Sequence, residues 1–373
     1  MKKLLLIILI FSLFICGCQS ENEINNLSIV NAIGIDIDDN EYKVSIQILD
    51  VNKTTNDEQE KLNKSITYTS KGSNISEALN NITLKSPKSL YLGHLELVVI
   101  SEKLAKSNIS KITDYFLRNS NISKNFTMLI SKDCTPEDVL NILESDSNFP
   151  TGNILGSIEV SSTSEGTSNN IKFIQFMQDL TSEGKNPILP TIKKNDKDKL
   201  IIDNVALFKN QKLKGYLNSD GNIAYNFITD NIKSSNINYK CDKNNYIGIN
   251  ITKSNTKMKS SIKNNKPIIY LNVSANAEII EVNCSSGIDD LSKVKKEVEN
   301  KIKNMINNVI RNTKEDYKSD IFGFGQNIYK NHLSYWKKIK KEWEDKYYPD
   351  LEVHTNVEVK LDNQGSILET ARW

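Results

Sequence analysis

Histidine is scarce in this sequence, with three in 373 residues. His94, His332 and His354 stand far apart, and none has a nucleophile or ligand partner at a catalytic spacing. The chain also lacks G-x-S-x-G, H-E-x-x-H, a C-x-x-C pair and an acid dyad. Those patterns place a nucleophile, a zinc ion or two carboxylates where chemistry needs them. Their absence argues against a cell-wall hydrolase and for a non-enzymatic protein without cofactor or metal.

A surplus of one charge is missing too. The formal net charge is +2, and Lys2 and Lys3 at the extreme N-terminus account for it. The rest balances, so there is no electrostatic footprint for nucleic acid. Cysteine is limited to five residues. Cys134, Cys241 and Cys284 are odd in number and widely spaced, showing neither a disulfide framework nor metal spacing. Each is read as a small buried hydrophobe.

Long apolar runs are confined to one place. Leu4 to Ile15 is apolar except for Ser12. As a helix it would be about 18 Å long, against roughly 30 Å of hydrocarbon core. It is too short to span and suits a secretory leader, residues 1–17. Ile15-Cys16-Gly17-Cys18 closes the run and resembles the bacterial lipobox. In that motif small residues let a peptidase approach the backbone, and the following cysteine sulfur carries diacylglycerol. Cys18 is therefore the expected lipid attachment site, and the membrane is reached through an N-terminal lipid. A redox C-x-C pair and an ordinary cleaved signal are the competing readings.

At 38% hydrophobic and 25% charged residues, the remainder has the composition of a folded protein. Its fold class reads as α/β (mixed α+β), with three domains, each a β-sheet covered by helices. An N-terminal α/β domain is assigned to 18–195, a small middle domain to 199–238 and a C-terminal α/β domain with two long helices to 239–373. Ser28–Ile37 and Tyr42–Leu49 read as a hairpin around Asp38-Asp39-Asn40-Glu41. Asn74 to Glu77 and Thr135 to Asp138 read as helix starts. Ser157–Asn170 reads as an exposed loop and Lys193–Lys199 as the linker ending the first domain. Further on come a hairpin around Asn210, strands at 246–252, 268–273 and 275–282, helices at 289–317 and 332–347, and a last strand at Leu351–Leu361.

Three places draw attention for chemistry or contact. His94 lies in Tyr91-Leu92-Gly93-His94-Leu95-Glu96, where a base near Glu96 competes with a half-buried structural histidine. Gly323-Phe324-Gly325 superficially suggests a phosphate loop. It lacks the third glycine, the preceding strand and the lysine, so it reads as a tight turn between helices. The helix at 336–348 sets Lys337, Lys338, Lys340 and Lys341 opposite an aromatic stripe. It could lie on anionic lipid or a partner. The preferred reading buries the aromatics and leaves the lysines solvated.

"GCQSENEINNLSIVNAIGID" resembles the start of the Ger(x)C spore-germination lipoproteins, with Cys18, Glu23-Ile24-Asn25, Ile29-Val30 and Gly34-Ile35-Asp36 in the family positions. Gln19 replaces the usual tryptophan. The likeness continues through "LYLGHLELVVISEKLA" (90–105), "DNVALFKNQKLKGYL" (203–217), Glu281 and "DIFGFGQNIYKNHLSYWKKIKKEW" (320–343). At 118–124 the chain keeps Arg118 but carries Ser and Lys124 where members often show an acid and arginine. The resemblance implies the C subunit of a nutrient germinant receptor. Such a subunit is lipid-anchored on the outer face of the spore inner membrane, beside two integral membrane subunits, one of them transporter-like. His94, Gly323 and Gly325 are the candidate partner contacts. A small-molecule-binding lipoprotein delivering its ligand to a transporter is the alternative, and it calls for a deep inter-domain cleft with aromatic walls.

Overall fold

The computed structural model describes residues 27–49, 65–146, 150–197, 199–241, 245–284 and 290–361. The expected leader and Cys18 lie outside these residues.

Two sheets organise the described chain. The first contains β1 (Leu27–Asp38), β2 (Glu41–Leu49), β3 (Ser65–Gly72), β4 (Ser89–Tyr91), β5 (Leu97–Ser101), β6 (Thr127–Ser131), β7 (Ile188–Lys194), β8 (Leu200–Lys209) and β9 (Lys212–Leu217). Their order is β3-β2-β1-β5-β6-β7-β8-β9, with β4 also pairing β1. The pairs β1–β5, β5–β6 and β6–β7 are parallel, and antiparallel hairpins flank them.

The central strands are nearly continuous apolar runs because both their faces are covered. Ala32, Leu97, Val99, Leu129 and Ile192 pack under α4 (Pro136–Asp146) and α5 (Pro150–Val160). Ile33, Ile35, Val98, Ile100, Met128 and Ile130 belong to the main core. That core also receives α1 (Ile75–Thr83), α2 (Glu102–Ser107), α3 (Ser110–Arg118) and α6 (Phe173–Thr181). The expected helix starts at Asn74 and Thr135 are present. Asn74 Oδ1 accepts from Glu77 N at 2.9 Å, and Thr135 Oγ1 accepts from Asp138 N at 3.1 Å.

Three expectations change here. Lys193–Lys199 is no linker but runs from the end of β7 through the turn of the β7–β8 hairpin, with Asn195 Oδ1 accepting from Lys197 N and Lys199 N. The strands assigned to a separate middle unit thus extend the first sheet. A short charged segment looks the same in sequence whether it joins domains or closes a hairpin. The stretch expected as a loop from Ser157 continues as helix to Val160 and through a π turn to Glu165, because Ile154 and Ile158 are buried. Gly166, at φ +65°, ends it. Glu102–Leu117 reads in the sequence as one helix, but it breaks at Asn108, whose backbone is extended.

The second sheet runs β10-β11-β12-β13, with β10 at Ser235–Lys240, β11 at Tyr246–Lys263, β12 at Lys266–Val282 and β13 at Glu352–Leu361. Between the sheets in sequence lies α7 (Ser219–Ile228). The long helix α8 (Leu291–Asn312) buries Val294, Val298, Ile302, Ile306, Val309 and Ile310. After it come α9 (Phe324–Asn331) and α10 (Leu333–Ile339), and β13 then returns parallel to β12. The single helix expected over 332–347 is α10 followed by 3-10 and π turns. β11 reaches eleven residues past the strand expected to stop at 252, because its outer half is polar and alternates only weakly.

Asparagine supplies most of the tight turns. Asp39-Asn40, Asn210-Gln211 and Asn264-Asn265 all sit at positive φ, joining β1–β2, β8–β9 and β11–β12. A two-residue hairpin loop of this kind needs two left-handed residues, which Asn tolerates better than most.

The sheet also corrects the cysteine reading. Cys241 follows β10 and Cys284 follows β12, and both strands pair with β11. The two Cα atoms come within 6.2 Å, and the sulfurs form a disulfide. Forty-three residues separate the pair in sequence, so only the folded hairpins reveal it. Cys134 is a free thiol whose pKa is pushed up to about 11 by burial.

Candidate functional site

The segment from Ser319 to Gly325 is a clasp between the two sheets. Asp320 is fully buried, and one side chain gathers five donors. Its Oδ1 accepts from Phe322 N at 3.2 Å, Gly323 N at 2.9 Å and Phe324 N at 3.2 Å. Its Oδ2 accepts from Gly325 N at 2.7 Å and Trp343 Nε1 at 3.2 Å. A carboxylate at the start of α9 satisfies backbone donors that the helix leaves free and meets its positive end.

The same segment grips the first sheet's side. Asn186 N donates to Asp320 O at 2.7 Å, Ser319 Oγ to Phe208 O at 2.7 Å, and Gln326 N to Gly184 O at 3.0 Å. Trp336 Nε1 donates to Glu183 at 2.8 Å, and Lys340 pairs with the same carboxylate at 3.0 Å.

Gly323 and Gly325 are fixed by this geometry. Gly323 sits at φ +79°, a conformation glycine adopts at little steric cost. A Cβ on Gly325 would lie 2.7 Å from Trp343 Nε1 and 2.9 Å from Gly184 Cα. The sequence signal was the G-x-G spacing; its partner at Glu183-Gly184 lies some 140 residues upstream and leaves no local trace.

Beside Asp320 lies a second carboxylate that sequence reasoning missed. Glu344 Oε1 accepts from Asn186 Nδ2 at 2.8 Å, while Oε2 is buried without a hydrogen-bond partner among the described residues. Lys209 Nζ is 3.9 Å from that oxygen and is shared with Asp345 at 2.8 Å. Burial, then the neighbouring Asp320 charge, pushes the Glu344 pKa up to about 8. Burial likewise raises Asp320 to about 6, against the pull of its backbone donors. Two nearby acids in a dry site share the difficulty of ionising together.

This sets a pH dependence. Between the ordinary glutamate value of 4.5 and about 8 the folded chain holds a proton on Glu344 that the unfolded chain has released. Folding stability therefore falls as pH rises through that window. The melting temperature is expected to be higher at pH 6 than at pH 8.5, and Glu344→Gln to flatten the difference. Thermal melts at both pH values, on both proteins, measure it.

His94 occupies a different surface. It is exposed on the loop between β4 and β5, with its ring centroid 5.8 Å from that of Tyr91 in an edge contact. No hydrogen bond or ion pair joins it to Glu96 among the described residues. Gly93, His94, Ser123 and Lys172 line a hollow of about 290 Å³ at this edge of the sheet. A further hollow of about 1030 Å³ lies between the start of α1 and α3, with Tyr42, Tyr115 and Arg118 on its walls. Its arginine is held by Asp114 at 2.8 and 2.9 Å. That hollow belongs to the helical layer of the first sheet and not to a cleft between sheets. Among the described residues, no cluster of His, Cys, Asp or Glu could hold a metal ion, and no helix is long and apolar enough to cross a membrane.

Comparison with known proteins divides the chain within the first sheet, between β7 and β8. Residues 20–194 match the family described as spore germination protein N-terminal domain. Residues 203–365 match the family described as spore germination B3/GerAC like, C-terminal. Spore germination protein KC of Bacillus subtilis (strain 168) is 25% identical, over 98% of this chain and 96% of its own. Spore germination protein B3 of the same organism is 22% identical, over 95% and 96%. GerQC of Bacillus cereus, a spore germination protein, is 23% identical, over 98% and 99%. The crystal structure of the GerBC protein shares the fold with a TM-score of 0.58 at 19% identity, covering 89% of this chain and 97% of that one.

Proposed function

The chain belongs to the GerAC-type family of spore germination proteins, and from that premise we propose that it is a lipid-anchored, non-enzymatic subunit of a nutrient germinant receptor. The observation that carries this reading is the ordered match of both family domains along almost the whole chain. In this role Cys18 carries the lipid, and the chain stands on the outer face of the spore inner membrane. Its partners are two integral membrane subunits, one of them transporter-like. Its work is assembly, presenting rigid surfaces that hold the complex together and pass on its response. His94 and the turn at Gly323 and Gly325 are candidate contacts, the histidine directly and the glycines by fixing the sheets against each other.

The Cys241–Cys284 disulfide supports an exported location, since such bonds persist in oxidising compartments and are rare in the cytosol. Each buried acyl CH₂ contributes about 0.8 kcal/mol, so two or three chains anchor the protein firmly. Cys18→Ala is expected to release the protein from the membrane fraction. Retention of the variant on membranes would sink the anchoring model. Affinity capture from dormant spores should recover two integral membrane proteins with it. Recovery alone, with tight binding of an amino acid or sugar, would favour delivery of a ligand to a transporter.

A further inference from the structure

The balanced charge of the mature chain is the sum of two opposite halves. Residues 18–238 hold 23 Lys and Arg against 28 Asp and Glu, whereas residues 239–373 hold 23 against 18. The positive surplus is concentrated in two segments. Ile251–Ala277 carries Lys253, Lys257, Lys259, Lys263 and Lys266 without an acid, and Ile321–Lys341 carries Lys330, Lys337, Lys338, Lys340 and Lys341 without an acid.

The fold lays these segments side by side. Asn327 Nδ2 donates to Met258 O at 3.4 Å, His332 Nε2 lies 3.1 Å from Ser260 O, and Tyr335 OH donates to Asn265 O at 2.9 Å. The β11–β12 hairpin and the α9–α10 segment thus form one region. All ten lysines are exposed. Lys340 is paired with Glu183, and the other nine have no carboxylate partner among the described residues. Two apolar side chains stand uncovered among them, Tyr329 at 38% and Leu333 at 46% exposure. Trp336, Ile339 and Trp343, by contrast, are buried as the preferred reading of that helix requires.

We propose that this lysine-rich region, with Tyr329 and Leu333 at its centre, seats on anionic lipid headgroups as a second membrane contact beside the N-terminal lipid. Unpaired cations around a small apolar prominence suit a headgroup layer, where ammonium groups meet phosphate and the apolar tips enter the acyl boundary. This rests on the lipid-anchored reading for its membrane, but its test leaves the lipid out.

The unlipidated chain from Gln19 onward, which contains every described element, is mixed with phosphatidylcholine vesicles with or without about 30% phosphatidylglycerol. Sedimentation should show binding to the anionic vesicles only, lost in about 0.5 M salt. Lys337→Gln, Lys338→Gln and Lys341→Gln together should weaken it by about a hundredfold, the product of about fivefold for each lysine near an anionic surface. Melting of the triple variant should match the parent, because these side chains are exposed and unpaired. Failure to bind anionic vesicles, equal binding to neutral ones, or an unchanged triple variant would overturn the proposal. Capture of an acidic protein in place of vesicle binding would overturn it too. None of these results bears on Cys18, whose variant is read in cells.

Discussion

Asp320→Ala is expected to lower the stability of the chain by about 3–5 kcal/mol, the range for removing one side of a buried charged network. The substitution leaves the N–H groups of Phe322, Gly323, Phe324 and Gly325 and the indole of Trp343 without their acceptor, all in the core. A buried donor left unpaired costs about 1–3 kcal/mol, and partial relaxation keeps the total below the simple sum. Asp320→Asn should lose less, since an amide oxygen still accepts while its NH₂ has no acceptor to face. Urea or thermal unfolding of the three proteins measures the order. Equal stability of Asp320→Ala and the parent would show that the clasp does not hold the sheets. The effect is expected to include looser contact between Glu183-Gly184 and Trp336, so tryptophan fluorescence should change alongside stability.

Reduction of the Cys241–Cys284 bond, or Cys241→Ser with Cys284→Ser, is expected to lower stability by up to about 4 kcal/mol, from the entropy of an open loop of this length. The bond closes 43 residues that include the long β11–β12 hairpin. In the unfolded chain the cross-link removes conformations that the reduced chain regains, while the native hairpins stay paired. Denaturant unfolding with and without reductant measures the loss. The parent should weaken in reductant and the double variant should be indifferent to it. A parent that ignores reductant would mean that the two thiols are not joined.

Much of the fold was legible because local rules agree with it. The Asp39-Asn40 hairpin, the caps at Asn74 and Thr135 and the stripe of α8 all follow from patterns within a single turn, cap or helix. What stayed hidden depends on separation. The membership of β8 and β9 in the first sheet is decided by pairing with β7 and not by composition. The outer half of β11 is as polar as a loop, and its strand form comes from β12 and from the side chains of Asn327 in α9 and of His332 beyond it, which meet its free edge. The site divides in the same way. Gly323 and Gly325 stood out as unusual residues, whereas the acidity of Glu344 depends on burial beside Asp320, which no spacing announces. Cys241 and Cys284 looked unrelated because the register that joins them belongs to three strands.

The β7–β8 hairpin has a consequence for how such chains can be assembled and inherited. The first family match ends at residue 194 and the second begins at 203, yet β7 and β8 on either side are hydrogen-bonded neighbours. The seam between the two modules therefore runs through a sheet. Either module alone would present an unsatisfied row of backbone donors and acceptors, an invitation to stick to any passing strand. The two parts are thus expected to travel together, and an exchange between relatives is expected to preserve the sheet best where both strands of that hairpin come from the same parent.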